Sequence, residues 1–146
     1  MRFLFFLIVF VSLASAQDID RFVKHFLIGT NRCVVVAEGD EESRSIGSYT
    51  VRLYRYNFRD LPTDWYLSGQ IRPRDGTIED VVFRDVVGDG ESDVVVIIRC
   101  AGTGSYLSAD AFGIHGNKLV LLAHVEDLGP DADCVAALRK AVRGKL

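Results

Sequence analysis

The chain has no Cys-x-x-Cys spacing and no paired histidines: Cys33, Cys100 and Cys134, like His25, His115 and His124, all stand alone. That scatter excludes the usual four-ligand zinc patterns. No Gly-x-Ser-x-Gly elbow, no Gly-Lys-Ser/Thr phosphate loop and no GxGxxG run opening a helix occurs. The common hydrolase, nucleotide and dinucleotide signatures are therefore missing. A surplus of positive charge is missing too: 17 Lys and Arg face 20 Asp and Glu, a net charge of −3. The single basic cluster, Arg139, Lys140, Arg143 and Lys145, falls where a last helix would end and attract cations. Nucleic acid is not an expected partner, because phosphate binding needs a basic footprint. Carboxylates are plentiful, but Glu38, Asp40, Glu41 and Glu42 read as one exposed loop in which solvation keeps them ordinary. Acid–base catalysis needs surroundings that shift one member of a pair. No cofactor and no enzymatic activity are expected.

What is present begins with Met1-Arg2, an apolar run over residues 3–13, and Ala14-Ser15-Ala16 before Gln17. This is the layout of a cleavable export signal. The apolar run falls short of the ~18 residues that span a bilayer, and no Cys follows the cleavage site to take a lipid. Residues 1–16 are read as a signal peptide and 17–146 as one soluble exported domain, without a membrane partner after cleavage. An oxidising compartment would permit one disulfide among Cys33, Cys100 and Cys134, with one thiol left over. Spacing does not choose the pair.

Along the mature chain, Ile19, Phe22, Val23, Phe26 and Leu27 fit a short amphipathic helix or an irregular first strand. Residues 33–38 form a clear strand, and 49–54 alternate strictly, with Tyr49, Val51 and Leu53 on one face and Thr50, Arg52 and Tyr54 on the other. Trp65-Tyr66 follows Pro62 in a less regular connection, and Ile71-Arg72-Pro73-Arg74-Asp75-Gly76 reads as a turn. Further strands are expected over 77–86, 94–98, 107–114 and 118–125. Asp131 would cap a final helix carrying Val135, Leu138 and Val142 on one stripe. The expected fold is all-β, an antiparallel sheet or small antiparallel β-sandwich of about six to eight strands, with a C-terminal α-helix.

Two loops invite a functional reading. In residues 85–93, Asp85, Asp89 and Asp93 take positions one, five and nine of a pattern that resembles calcium loops. Val87 at position three and Val96 at position twelve supply no ligand, so the alternative is an Asp-Gly turn whose carboxylates bond their own backbone. A calcium-binding surface or adhesion module centred there is the second functional hypothesis. The first rests on Gly102-Thr103-Gly104-Ser105-Tyr106, between two apolar strands. A hairpin needs only two turn residues. Here two glycines thin the backbone, Thr103 and Ser105 offer hydroxyl donors, and Tyr106 offers a large amphipathic ring suited to an interface. A tyrosine that simply packs into the core would use the same residues.

The run 85–112, with its Gly-Asp-Gly turn, Val/Ile strand and Cys-Ala-Gly-Thr-Gly-Ser-Tyr-Leu-Ser loop, resembles the periplasmic inhibitors of invertebrate-type lysozyme. Their loop pattern is close to Ser-x-Gly-Ser-Gly-Gly/Ser-Tyr. The resemblance extends to Val34-Val35-Val36-Ala37-Glu38-Gly39-Asp40, Arg44-Ser45-Ile46-Gly47-Ser48-Tyr49, Pro73-Arg74-Asp75-Gly76-Thr77-Ile78-Glu79 and Gly116-Asn117-Lys118-Leu119. It implies a periplasmic β-sandwich that inserts a loop into the lysozyme cleft and protects the peptidoglycan of a Gram-negative bacterium from host attack. By position, the inhibitory Ser falls on Thr103 and the Tyr on Tyr106, while Cys100 replaces a Ser at the loop's base. The implied partner is an invertebrate-type lysozyme, with homodimerisation left open.

Overall fold

The structure, a computed structural model, describes residues 20–144. The expected leader 1–16, Ile19 and Lys145 lie outside the described residues. Eight strands run in order: β1 (Val23–Ile28), β2 (Arg32–Glu38), β3 (Ile46–Arg55), β4 (Trp65–Asp75), β5 (Thr77–Arg84), β6 (Asp93–Arg99), β7 (Leu107–His115) and β8 (Lys118–Leu128), followed by helix α1 (Cys134–Arg143). They form two four-stranded antiparallel meanders, β1-β2-β3-β4 and β5-β6-β7-β8. This is the expected all-β sandwich with a C-terminal helix.

The alternation in β3 is real: Tyr49, Val51 and Leu53 are fully buried while Thr50, Arg52 and Tyr54 are half-buried. With Val34 and Val36 they face Val94, Val96, Phe112 and Leu119 of the other sheet, forming the core between the sheets. The continuous apolar run of β6 has a different cause. Val94 and Val96 face this core, whereas Val95 points to the opposite face, where Ala109, Ala111 and Ala123 receive Leu138 of α1. A strand covered on both faces has no polar side to show.

Several local expectations are narrowed or change. Of the two forms expected for the first segment, the strand is the one found: β1, whose register against β2 pairs Phe26 with Val34, and Phe26 meets Phe83 of β5 edge to face at 5.3 Å. Trp65 and Tyr66, read as irregular, start β4, and Pro73, read as a turn, lies within it opposite Ser48. Proline is tolerated because β4 is an edge strand, where one row of amides needs no partner. Only Gly76 separates β4 from β5, so the chain switches sheets at one residue, with φ of +118°. The helix is capped by Asp133, not Asp131: its carboxylate accepts from the Ala136 amide at 2.9 Å, because the turn after β8, closed from Ala132 N–H to the Gly129 carbonyl, carries the chain two residues further.

Candidate functional site

β6 ends and β7 begins with Arg99 opposite Leu107, leaving 100–106 as a loop. The Cys100 amide donates to the Tyr106 carbonyl at 2.8 Å and closes its mouth, and the Ser105 amide donates to the Gly102 carbonyl at 3.2 Å. The Gly102 amide lies 3.4 Å from the Cys100 sulfur. Ser105 has φ of +47°, a left-handed conformation that costs a non-glycine residue about 1 kcal/mol or more. The Tyr106 ring lies against Gly104 so closely that a Cβ there would strike it. Gly102 and Thr103 are exposed, Gly104 and Ser105 half-buried, and Tyr106 keeps 52% of its surface open. Tyr106 is thus not a core residue. Gly104 serves the close approach of the ring.

The loop's base is tied to three elements through Arg99. Its Nη1 donates to the Ser105 carbonyl at 2.9 Å and the Pro130 carbonyl at 3.3 Å. Its Nη2 donates to Glu79 Oε1 at 2.8 Å while Nε reaches Oε2, a two-bond fork. That hydrogen bonding holds the Glu79 carboxyl below the usual range. Gly76 sits directly beneath: a Cβ there would overlap the Arg99 carbonyl.

Beside the loop, a cleft of about 400 Å³ opens between β4 and the β7–β8 pair, bounded by Arg72, Pro73, Tyr106, Asp110, His124 and Glu126. Tyr49 and Arg72 are cross-strand neighbours in one sheet, Asp110 and His124 in the other. The two pairs meet between the sheets. Asp110, only 1% exposed, accepts from Arg72 Nε at 3.0 Å and Nη2 at 3.2 Å and from the Tyr49 hydroxyl, and lies 2.7 Å from His124 Nδ1. Burial, reinforced by the Asp110 charge, pushes the Tyr49 hydroxyl far above its usual range, so it remains a donor. The bond to Asp110 raises the Arg72 guanidinium. Sequence reasoning did not single out Arg72, Asp110 or His124. The available signal was Asp110 itself, a charge inside an apolar strand, which is rarely buried without partners.

The remaining candidates fall elsewhere. Asp85 accepts from the Gly88 amide at 2.6 Å and the Gly90 amide at 2.9 Å, and Asp89 from Glu91 at 2.9 Å. Asp93 accepts from the Val86 amide at 2.9 Å. The three acids bond their own loop, and no His, Cys, Asp or Glu group able to hold a metal occurs among the described residues. Arg139, expected only to complement the helix end, donates to the Asp85 carbonyl at 2.9 and 3.0 Å and ties this loop to α1.

Of the cysteines among which one disulfide would be permitted, Cys33, Cys100 and Cys134, the structure shows all three as free thiols. Cys33 belongs to the outer face of the first sheet and Cys134 to the helix outside the second, so the sandwich separates them by more than a disulfide's reach. The acidic run is not uniformly exposed either. Glu38 is buried and accepts from the Ile78 amide at 2.7 Å, joining the two sheets. Glu42 is held below the usual carboxylate range, first by the Ser48 amide.

Residues 20–142 match the family model described as periplasmic lysozyme inhibitor of I-type lysozyme, PliI. Among curated protein sequences there is no match. Among solved structures, PliI-Ah, the periplasmic lysozyme inhibitor of I-type lysozyme from Aeromonas hydrophila, is similar at a TM-score of 0.76 and 40% identity, over 80% of this chain and 98% of that one. The structure of Aeromonas hydrophila PliI in complex with Meretrix lusoria lysozyme is similar at 0.75 and 40% identity, over 81% of this chain and 95% of that one. With the two-sheet fold and the family match covering almost all the described residues, the chain belongs to the PliI family of periplasmic inhibitors of I-type lysozyme, whose role is to bind a protein and not to catalyse.

Proposed function

We propose that this chain is exported to the periplasm by a cleaved leader, residues 1–16, and inhibits an I-type lysozyme by inserting Gly102, Thr103, Gly104, Ser105 and Tyr106 into its active-site cleft. The observation that carries the reading is the exposed Tyr106 ring seated on Gly104 beside exposed Thr103. Support comes from the family match and from the relative seen in complex with Meretrix lusoria lysozyme.

A lysozyme cleft is a groove with two catalytic carboxylates and a row of sugar subsites. A plug for it needs a narrow backbone, donors for a carboxylate and a flat ring for a subsite. Gly102 and Gly104 keep the backbone narrow, and the Thr103 and Ser105 hydroxyls can donate to a carboxylate. Tyr106 carries apolar area with a polar tip, the profile of residues that contribute about 2 kcal/mol or more at interfaces. One copy of the chain supplies every residue the reading uses. Occupying the groove keeps peptidoglycan out, which protects the bacterial wall from host lysozyme.

Lysis assays with invertebrate-, chicken- and goose-type lysozymes test the reading. Inhibition of the invertebrate type alone is expected. Equal inhibition of all three types, or of none, contradicts it.

A further inference from the structure

We propose that Arg99 and Glu79 form a positioning clamp that sets the loop 100–106 in its binding shape before the lysozyme arrives, a claim that rests on the proposed role of that loop. The clamp is built from four observations. The Arg99 guanidinium joins three chain segments at once, Glu79 on β5, the Ser105 carbonyl in the loop and the Pro130 carbonyl after β8. Ser105, whose carbonyl it holds, is in the left-handed conformation at φ +47°, which persists only where surrounding contacts enforce it. The next residue is Tyr106, so fixing the Ser105 carbonyl fixes the peptide plane from which the tyrosine departs. Beneath, Gly76 leaves room for the Arg99 carbonyl that a side chain would fill.

The physical consequence concerns entropy. A loop ordered only on binding loses affinity by the cost of ordering it, and a loop already held avoids that cost. Lysine in place of Arg99 cannot make the fork to Glu79 and the bond to Ser105 together, because it presents one ammonium where arginine presents a planar set of five donors. Neither Arg99 nor Glu79 needs to touch the lysozyme for this effect. The Arg99 side chain is 33% exposed and that of Glu79 40%, flanking the loop's base rather than its tip.

The experiment compares wild type, Arg99→Lys, Glu79→Gln and the loop variant Thr103→Ala/Tyr106→Ala. Each is titrated against Meretrix lusoria lysozyme for inhibition constant and dissociation rate. Amide exchange of Ser105 in the free protein and melting temperature are measured alongside. Arg99→Lys and Glu79→Gln are expected to weaken inhibition about tenfold, with Ser105 exchange at least about fivefold faster and Val95 and Val96 exchange unchanged. Added to the loop variant, Arg99→Lys is expected to weaken binding no further. Wild-type inhibition by both clamp variants overturns the clamp while leaving the loop reading intact. So does weaker inhibition with unchanged Ser105 exchange and a parallel fall in melting temperature, since a merely structural role would give that result. Full inhibition by the loop variant instead overturns the reading on which the clamp rests.

Discussion

Tyr49 and Asp110, one from the middle of each sheet, are joined by a hydrogen bond across the interior of the sandwich. Arg72 and His124 complete the arrangement from the neighbouring strands. Asp110 is buried with three donors directed at it, so its removal strands Arg72 and Tyr49 beside the core. Asp110→Ala is expected to cost about 3 to 5 kcal/mol, the range for breaking a buried charge pair. Tyr49→Phe removes one donor of several and should cost about 1 to 2 kcal/mol. Urea unfolding at pH 7 measures both, and a loss below ~1 kcal/mol for Asp110→Ala contradicts the account.

The sheet switch at Gly76 makes a second expectation. Gly76→Ala meets two obstacles, a φ of +118° and overlap of its Cβ with the Arg99 carbonyl. A loss of about 2 to 4 kcal/mol is expected from backbone strain and steric displacement together. Arg74, 3% exposed, donates to the carbonyls of Ser43, Arg44, Ser48 and Gly76 and braces the same corner. Arg74→Lys retains the charge but cannot reach four carbonyls, and it too should lower the melting temperature. A Gly76→Ala protein as stable as wild type would contradict this reading of the corner.

Acid should unfold the protein through specific carboxylates. Hydrogen bonds from Arg99 lower Glu79, the Ser48 amide lowers Glu42, and the Gly90 and Gly88 amides lower Asp85. A depressed folded value means that the unfolded chain binds more protons as pH drops, so this stabilisation is present above the ordinary carboxylate range of about 4 and is lost below it. Asp93 runs the other way. Burial raises it, so its charge opposes folding at neutral pH and not at low pH. Asp93→Asn keeps an acceptor for Val86 and should raise the melting temperature at pH 7 but not near pH 3. A lower melting temperature at pH 7 would contradict this.

The strand pattern could be read from the sequence wherever one face met the core, as at Tyr49, Val51 and Leu53. Helix α1 was likewise visible from Val135, Leu138 and Val142. Trp65 and Tyr66 misled because they sit at the exposed start of an edge strand, 66% and 57% open, where alternation leaves no trace. Pro73 misled because the rule against proline in strands weakens at an edge. The loop 102–106 was legible from its glycines and its tyrosine. Its supports were not, since the bonds from Arg99 to Glu79 and Pro130 join residues 20 and 31 positions away, which no local pattern encodes.

Cysteine accessibility gives a further test. Burial raises the Cys33 and Cys134 thiols, whereas Cys100 is half-buried at the base of the loop. Three titratable thiols are expected in denaturant without reductant, with Cys100 reacting first in the native protein. Recovery of one thiol instead of three would show that a disulfide forms after all.

The central claim is that Thr103 and Tyr106, held out on Gly102 and Gly104, occupy the lysozyme cleft. The most direct measurement is the inhibition constant of Thr103→Ala/Tyr106→Ala against an I-type lysozyme, taken beside its melting temperature. A loss of at least about 100-fold is expected from removing an interface tyrosine and a hydroxyl donor, with melting within about 2 °C of wild type, since both side chains are exposed. Inhibition equal to wild type by this folded variant would contradict the account.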